Sequence, residues 1–168
     1  RQPAPADGGS ALDRRHVVRD EHDGPAALRY PRGNGFGVDI SSPPKLIEIG
    51  KAELVRDGSG DVAILAYGDM VDPAITASEM LRKAGIDATI VNARFVKPLD
   101  SELITNLART KRLILTVENA YLAGGFGSAV LELLEEKGLA DEVRVVRVGV
   151  PAEIVNHGDP KILLAQYG

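Results

Sequence analysis

Two pairs of basic residues have the chemistry needed to bind an anion. Arg29 and Arg32 lie close together near the start of the chain, and Arg94 and Lys97 follow an apolar run over residues 89–91. A guanidinium donates to two oxygens at once and stays charged, so a pair of arginines suits a phosphate monoester. The alternative is that these side chains are solvated or paired with Asp and Glu. The residues alone leave both open.

Glu118 and His157 are two further polar candidates for a site. Glu118 follows an apolar run over residues 113–117 and could act as a general acid or base, or as a hydrogen-bonded structural group. His157 has no second histidine at metal-ligand spacing, so we predict no metal site there. No nucleophile–base pair is evident. The residues alone therefore predict no complete catalytic set.

A glycine-rich turn over residues 124–128 opens a predicted helix. Free N–H groups at a helix start could cradle a phosphate. The turn is neither a P-loop nor a G-x-G-x-x-G fingerprint, however. We favour the alternative that its glycines let the helix pack close to the sheet.

The chain from residue 45 alternates apolar strands with amphipathic helices. Asp72 and Pro73 are typical of a helix start, and Asp100 is placed to cap the next helix. The turn over residues 57–60 suggests an antiparallel hairpin between the first two strands. We predict a three-layer α/β/α fold with a mostly parallel five-stranded sheet whose first strand is antiparallel. The predicted strands lie within residues 46–55, 62–67, 89–91, 113–117 and 143–148, and the helices begin near residues 72, 100, 126 and 161.

Composition excludes several classes of protein. The 168 residues are 44% hydrophobic and only 4% aromatic, so the core is aliphatic. Twenty-four acidic against 20 basic residues give a net charge of −4, which argues against nucleic-acid binding. No cysteine is present, and no apolar run is long enough to span a bilayer. We expect a cytoplasmic protein without membrane contact. Residues 1–24, rich in Pro, Gly and charge, predict a poorly ordered leader.

Several motifs occur together in one order. They are RYPRGNG at Arg29–Gly35, IGKA at Ile49–Ala52, NARFVKPLD at Asn92–Asp100, GGFGSAV at Gly124–Val130 and VGVP at Val148–Pro151. With these motifs the chain closely resembles the 1-deoxy-D-xylulose-5-phosphate synthase family, a branch of the transketolase-like, thiamine-diphosphate-dependent enzymes. The resemblance covers about residues 24–168.

The resemblance implies a partial enzyme. Residues 25–44 would be the last strand of the middle, pyrimidine-binding domain plus a linker, and residues 45–168 the transketolase C-terminal-like domain. The parent enzyme, a transferase, would condense pyruvate, with decarboxylation, and glyceraldehyde 3-phosphate to 1-deoxy-D-xylulose 5-phosphate for isoprenoid precursor, thiamine and pyridoxal biosynthesis. Thiamine diphosphate and Mg²⁺ would be bound by domains absent here. We expect the isolated chain to bind no cofactor and to be inactive.

The resemblance also assigns residues. Arg29 and Arg94 match the two family arginines that hold the phosphate of glyceraldehyde 3-phosphate. Further weaker candidates are Arg32, Lys97, Glu118 and His157. No catalytic, cofactor-binding or metal-binding residue is carried over. The parent would be a homodimer to which this part contributes contacts, and its other partners would be the missing domains.

The chain departs from the family pattern in places. Family members commonly have Val-Glu-Glu-Asn where residues 117–120 are Val-Glu-Asn-Ala, and both ends of the chain look cut or altered. Other interpretations are the corresponding domain of a transketolase or of a 2-oxo acid dehydrogenase β-subunit. A non-catalytic stand-alone module is another. A receiver-like domain would need acidic groups at the edge where Arg94 and Lys97 lie.

Overall fold

The part of the chain that the structure describes is an α/β unit. The structure, a computed structural model, covers Pro25 and residues 47–167, apart from the side chains of residues 160 and 161. The chain divides after Ile49, and all the elements below belong to the second, compact unit, Gly50–Gly168. The predicted leader and nearly all of the predicted middle-domain segment lie outside the described residues.

Strands and helices alternate after the first two strands, as the sequence predicts. The strands are four to nine residues long, and each connecting helix begins four to nine positions after the last residue of a strand. The strands are β1 (Glu53–Arg56), β2 (Val62–Tyr67), β3 (Thr89–Asn92), β4 (Leu113–Tyr121) and β5 (Arg144–Val150). The helices are α1 (Val71–Lys83), α2 (Ser101–Thr110), α3 (Phe126–Glu136) and α4 (Pro160–Tyr167).

The five strands form one sheet in the order β1-β3-β2-β4-β5. β1 is an antiparallel edge strand on β3, and the other pairs are parallel. The predicted fold class is therefore confirmed. In a parallel sheet the carboxyl ends of the strands meet at one edge, so the segments after β2, β3 and β4 come together there.

The predicted hairpin between β1 and β2 is wrong, because β3 lies between them. The intervening turn instead crosses the start of β3. Gly58 donates its N–H to Thr89 Oγ1 at 3.1 Å, and Gly60 donates to the Asp87 carbonyl at 2.9 Å. A Cβ atom at Gly58 would overlap the backbone of Ala88, so only glycine permits this approach.

Helices cover both faces of the sheet and complete the three layers. Alternate residues of each strand point to opposite faces, so β2 contributes to two separate cores. On one face, α1 contributes Ala74 to a cluster with Ile64, Ala66, Ala88 and Ile90. On the other, α2 and α3 pack over a larger cluster that includes Leu65, Val91, Ile104, Ile114, Phe126 and Leu134.

The start of α1 differs from the prediction. The helix begins at Val71, after a 3₁₀ turn over Gly68–Met70, and no side chain caps it. Asp72 and Pro73 lie inside the first turn, where Pro lacks only an N–H that has no helical partner. From that position the negative charge of Asp72 interacts favourably with the positive end of the helix dipole.

The caps of the next two helices agree with the prediction. Asp100 caps α2 by accepting the Leu103 N–H at 3.1 Å. α3 closes at Lys137, followed by Gly138 with a φ of 64°. No helix in the described residues is long and apolar enough to cross a membrane.

Candidate phosphate-binding site

Arg94 lies just beyond the carboxyl end of β3. β3 ends at Asn92, and Ala93 continues the pairing by donating its N–H to the Ala66 carbonyl at 2.9 Å. Arg94 then turns with a φ of 56°, a left-handed conformation that non-glycine residues rarely adopt. Its N–H donates to the Asn92 side-chain oxygen at 3.3 Å. Arg94 is thus placed at the ligand-binding edge expected for such a sheet.

The guanidinium of Arg94 is paired with a carboxylate from the edge strand. Arg94 Nη2 lies 2.6 Å from Glu53 Oε2, and the Arg94 side chain is 20% exposed. Asn92 Nδ2 also donates to Glu53 Oε2, over 3.4 Å. The second alternative weighed for Arg94, pairing with an acidic side chain, is therefore observed, while 20% of the arginine side chain remains exposed.

Asp100 fixes the turn that follows Arg94. This carboxylate is buried, and besides capping α2 it accepts the Ala52 N–H at 3.0 Å. One side chain therefore ties the helix after the site to the strand that carries Glu53. Lys97 is exposed in the turn between Arg94 and Asp100.

The other predicted arginines lie outside the described residues. Arg29 and Arg32 both belong to that part of the chain, so the two-arginine clamp stays a prediction. Of the two predicted arginines, only Arg94 lies among the described residues.

Glu118 lies inside β4, because that strand continues to Tyr121 rather than ending before it. The side chain is 3% exposed and accepts two backbone N–H groups at the start of α3. Phe126 donates to Oε2 at 2.7 Å and Gly127 donates to Oε1 at 2.8 Å. Both oxygens are thus engaged by the helix. The geometry favours the structural alternative for Glu118 over acid–base chemistry.

The glycine-rich turn serves close packing. A Cβ at Gly125 would overlap the Glu118 carboxylate, and one at Gly127 would lie 2.6 Å from Thr116 Oγ1. The N–H groups that could cradle a phosphate already bind Glu118, which is an internal anion at a helix N-terminus. This turn therefore does not fit the diphosphate of thiamine diphosphate.

The described residues do not fit a metal ion either. Within residues 47–167 no group of three or more His, Asp or Glu side chains could hold one. His157 is exposed in the segment between β5 and α4. Within the same part of the chain, no hydrogen bond or ion pair connects His157 with Arg94 or Glu118.

The turn after β2 meets the last part of β4 at the point where the strand order reverses. Asn119 of β4 donates its Nδ2 to Asp69 Oδ2 in the 3₁₀ turn at 2.9 Å. A separate cleft between β1 and α1, lined by Val55, Arg56 and Ile75 among others, includes none of the predicted site residues. The candidate site is therefore an open sheet edge.

Comparison with known families decides the affiliation. Residues 50–168 match the family described as "Transketolase, C-terminal domain". The chain belongs to this family. The match coincides with the second compact unit of the structure, Gly50–Gly168.

Curated relatives of this transketolase C-terminal domain share about half of its residues. A "1-deoxy-D-xylulose-5-phosphate synthase 1" from Geobacter metallireducens is 53% identical over 148 residues, which is 88% of this chain and 23% of the relative. A synthase from Heliobacterium modesticaldum is 51% identical over 155 residues, or 91% of this chain and 24% of the relative. The chain thus spans about a quarter of the length of these relatives.

A solved structure shares the fold of the domain. It is titled "Split gene transketolase, inactive beta4 tetramer" and is 35% identical, with a TM-score of 0.69. The similarity covers 80% of this chain and 44% of that one. The similarity to the synthase family predicted from the motifs is confirmed.

Sequence reasoning missed Glu53 as part of the site. Its partner, Arg94, is 41 positions away, and the two meet only because β1 pairs with β3. A charged residue at the start of a short edge strand was the available signal. It does not single out a site, because edge strands commonly carry charge for other reasons.

Proposed function

We propose that this chain is the domain of a 1-deoxy-D-xylulose-5-phosphate synthase that binds the phosphate of glyceraldehyde 3-phosphate. The complete enzyme would decarboxylate pyruvate and join its two-carbon unit to the aldehyde carbon of the acceptor. The product would feed isoprenoid precursor, thiamine and pyridoxal biosynthesis. The observation that carries the proposal is Arg94, a partly exposed guanidinium at the carboxyl edge of the sheet within a family-specific motif.

Arg94 would act on the acceptor through its phosphate. A guanidinium stays charged at any physiological pH and donates to two phosphate oxygens, which fixes the acceptor's orientation as well as its affinity. The phosphate is remote from the aldehyde carbon that reacts. We therefore place Arg94 in binding and orientation rather than in proton transfer. Arg29 is the proposed second arginine on the same phosphate.

The remaining chemistry would come from other domains. Thiamine diphosphate and Mg²⁺ would bind there, and the cofactor would supply the chemistry of decarboxylation and carbon–carbon bond formation. The proposed complete enzyme is a homodimer in the cytoplasm, to which this domain contributes contacts. The acidic net charge of −4 supports no nucleic-acid role.

Substitution of Arg94 in the complete synthase tests the proposal. One charge-assisted hydrogen bond contributes about 1.5–3 kcal/mol. Arg94→Ala should therefore raise the KM for glyceraldehyde 3-phosphate by about 10- to 100-fold. The KM for pyruvate should change much less. Equal effects on both substrates would overturn the assignment.

A matched control uses another arginine of the same chain. Arg112 lies at the amino end of β4 and pairs with Asp61 at 3.5 Å on the exposed surface. Arg112→Ala removes an equal charge from the opposite edge of the sheet. Both KM values should stay within about twofold of the wild type, because exposed ion pairs contribute little.

A second candidate is a transketolase-type subunit that requires a separate cofactor-binding chain. The similarity to the split-gene transketolase structure, at 35% identity, favours it. The higher identity to the synthases favours the first proposal. Assays with pyruvate and with a ketose phosphate as donor, after the cofactor-binding domains are supplied, discriminate the two. Turnover of the ketose phosphate alone would establish the second candidate.

A further inference from the structure

We propose that Glu53 is a positioning residue for the acceptor phosphate. Its carboxylate would hold one nitrogen of Arg94 so that the remaining donors face the phosphate. The inference rests on the proposed function of Arg94. It assigns a role to a side chain of the edge strand that no motif of the sequence singled out.

The sheet register places Glu53 beside the turn at Arg94. Glu53 is the residue of β1 that lies opposite Asn92 of β3. Asn92 contacts both members of the ion pair, since its Nδ2 donates to Glu53 Oε2 and its Oδ1 accepts the Arg94 N–H. The three side chains thus form a connected set at the end of two paired strands. Groups held in this way have few alternative rotamers.

The geometry of the ion pair leaves part of the guanidinium available. Glu53 contacts Nη2 of Arg94 at 2.6 Å. Within the described residues Nη1 and Nε of Arg94 have no partner. A guanidinium has five donors in a fixed plane, so anchoring one nitrogen sets the direction of the others.

The left-handed backbone at Arg94 is an independent reason to expect that neighbouring side chains hold this residue in place. A φ of 56° is unfavourable for a residue with a Cβ, and such positions persist where surrounding contacts hold them. Arg94 is 20% exposed while Glu53 is 39% exposed. The carboxylate is therefore on the solvent side of the sheet edge, where it can orient the arginine without being buried itself.

Three variants of the complete synthase test the role of Glu53. Glu53→Ala removes the support, and Glu53→Gln keeps an oxygen that can accept from Arg94. The control Asp61→Ala removes the carboxylate of a different exposed pair, with Arg112. We expect Glu53→Ala to raise the KM for glyceraldehyde 3-phosphate about fivefold. Glu53→Gln should raise this KM much less, because its side-chain oxygen can still accept from Arg94. The KM for pyruvate should stay near the wild-type value in both Glu53 variants. In the control variant, the KM values for both substrates should stay near wild type.

The outcomes separate this inference from the proposed function. In an Arg94→Ala background, Glu53→Ala should have no further effect on the acceptor KM, because its partner is gone. A lower acceptor KM in both Glu53 variants would show that the carboxylate competes with phosphate, and would overturn the inference. An unchanged KM would also overturn it. If Arg94→Ala itself leaves the acceptor KM unchanged, the proposed function fails instead.

A measurement on the 168-residue chain detects positioning without any turnover. The Nε–Hε NMR signal of Arg94, assigned with Arg94→Lys, should show restricted motion in the wild type. Glu53→Ala should release it, with faster solvent exchange and a lower heteronuclear NOE, while the backbone spectrum stays that of the folded chain. An unchanged Nε–Hε signal in Glu53→Ala would contradict the positioning role.

Discussion

Asp100 accepts the backbone N–H of Ala52 at 3.0 Å, so the carboxylate that caps α2 also holds the chain entering β1. Removing it leaves two N–H groups without their partner in a partly buried place. We expect Asp100→Ala to lower the free energy of unfolding by about 2–3 kcal/mol, and Asp100→Asn by about 1 kcal/mol. Urea denaturation measures both. A loss no larger than that of the exposed control Asp141→Ala would contradict the double role.

Glu118 should prove structural rather than catalytic. Its two oxygens accept the N–H groups of Phe126 and Gly127, and Glu118→Gln would turn one acceptor into an NH₂ facing a donor. We expect Gln at this position to cost about 2 kcal/mol of stability and Ala about 3 kcal/mol. Denaturation of the chain measures this. Wild-type stability together with lost turnover in the complete enzyme would instead assign acid–base chemistry to Glu118.

Gly127 should tolerate no side chain. A Cβ there would lie 2.6 Å from Thr116 Oγ1 and 2.8 Å from Arg147 Cδ. We expect Gly127→Ala to destabilise the domain by about 1–3 kcal/mol, because α3 must move away from β4. Gly158→Ala is the control, since its Cβ would meet the nearest atom at 3.4 Å, in ordinary contact. Equal thermal stability of the two variants would refute the packing role.

The left-handed backbone at Arg94 predicts a conflict between stability and binding. With a φ of 56°, glycine is favoured over alanine at this position by about 1 kcal/mol. Arg94→Gly should therefore be more stable than Arg94→Ala by about that amount in denaturant titrations. Both variants should show the same loss of acceptor binding. Equal stability would mean that this turn relaxes once the arginine is removed.

Asp87 should make stability depend on pH in the acid range. Hydrogen bonds from the Ser59 backbone N–H and hydroxyl lower the pKa of Asp87 below its ordinary value of 3.8. Because the folded-state pKa is the lower one, the ionised carboxylate stabilises the fold above that ordinary value. This contribution is lost as pH falls through the folded-state pKa.

Comparison with Asp87→Asn isolates this contribution. The difference in unfolding free energy between wild type and Asp87→Asn should be constant above about pH 5 and should shrink as the pH falls toward about 2.5. Asp141→Asn, at an exposed turn, serves as control. A difference that grows on acidification would have the wrong sign for a lowered pKa.

The fold class follows from local sequence features. Which strands lie next to each other in the sheet does not follow from them. Apolar runs separated by helical periods predict a parallel sheet, and Asp100 signals its helix start in the sequence itself. The partner of β1 depends on Gly58 and Gly60 crossing the start of β3. No local pattern distinguishes such a crossing from a hairpin turn, because both require glycine.

The site was predictable only in part, for the same reason. Arg94 is recognisable from its motif and from its place after a strand. Glu53 becomes a neighbour of Arg94 only through strand pairing. Glu118 accepts its two backbone N–H groups only because β4 continues past the end of its apolar run. Contacts between distant positions decide what these charged side chains do.

The position of β1 has a consequence for the order in which the chain assembles. β1 precedes its neighbour β3 by more than thirty positions, so pairing β1 with β3 closes a longer loop than pairing β2 with β3. Contacts of long sequence separation form late, and an edge strand with four residues opens early. Amide protons of β1 should therefore exchange ahead of those of β2 and β4. Each such opening carries Glu53 away and releases Arg94 for a moment, so the anion-binding edge would switch between a held and a free arginine on the timescale of strand fraying.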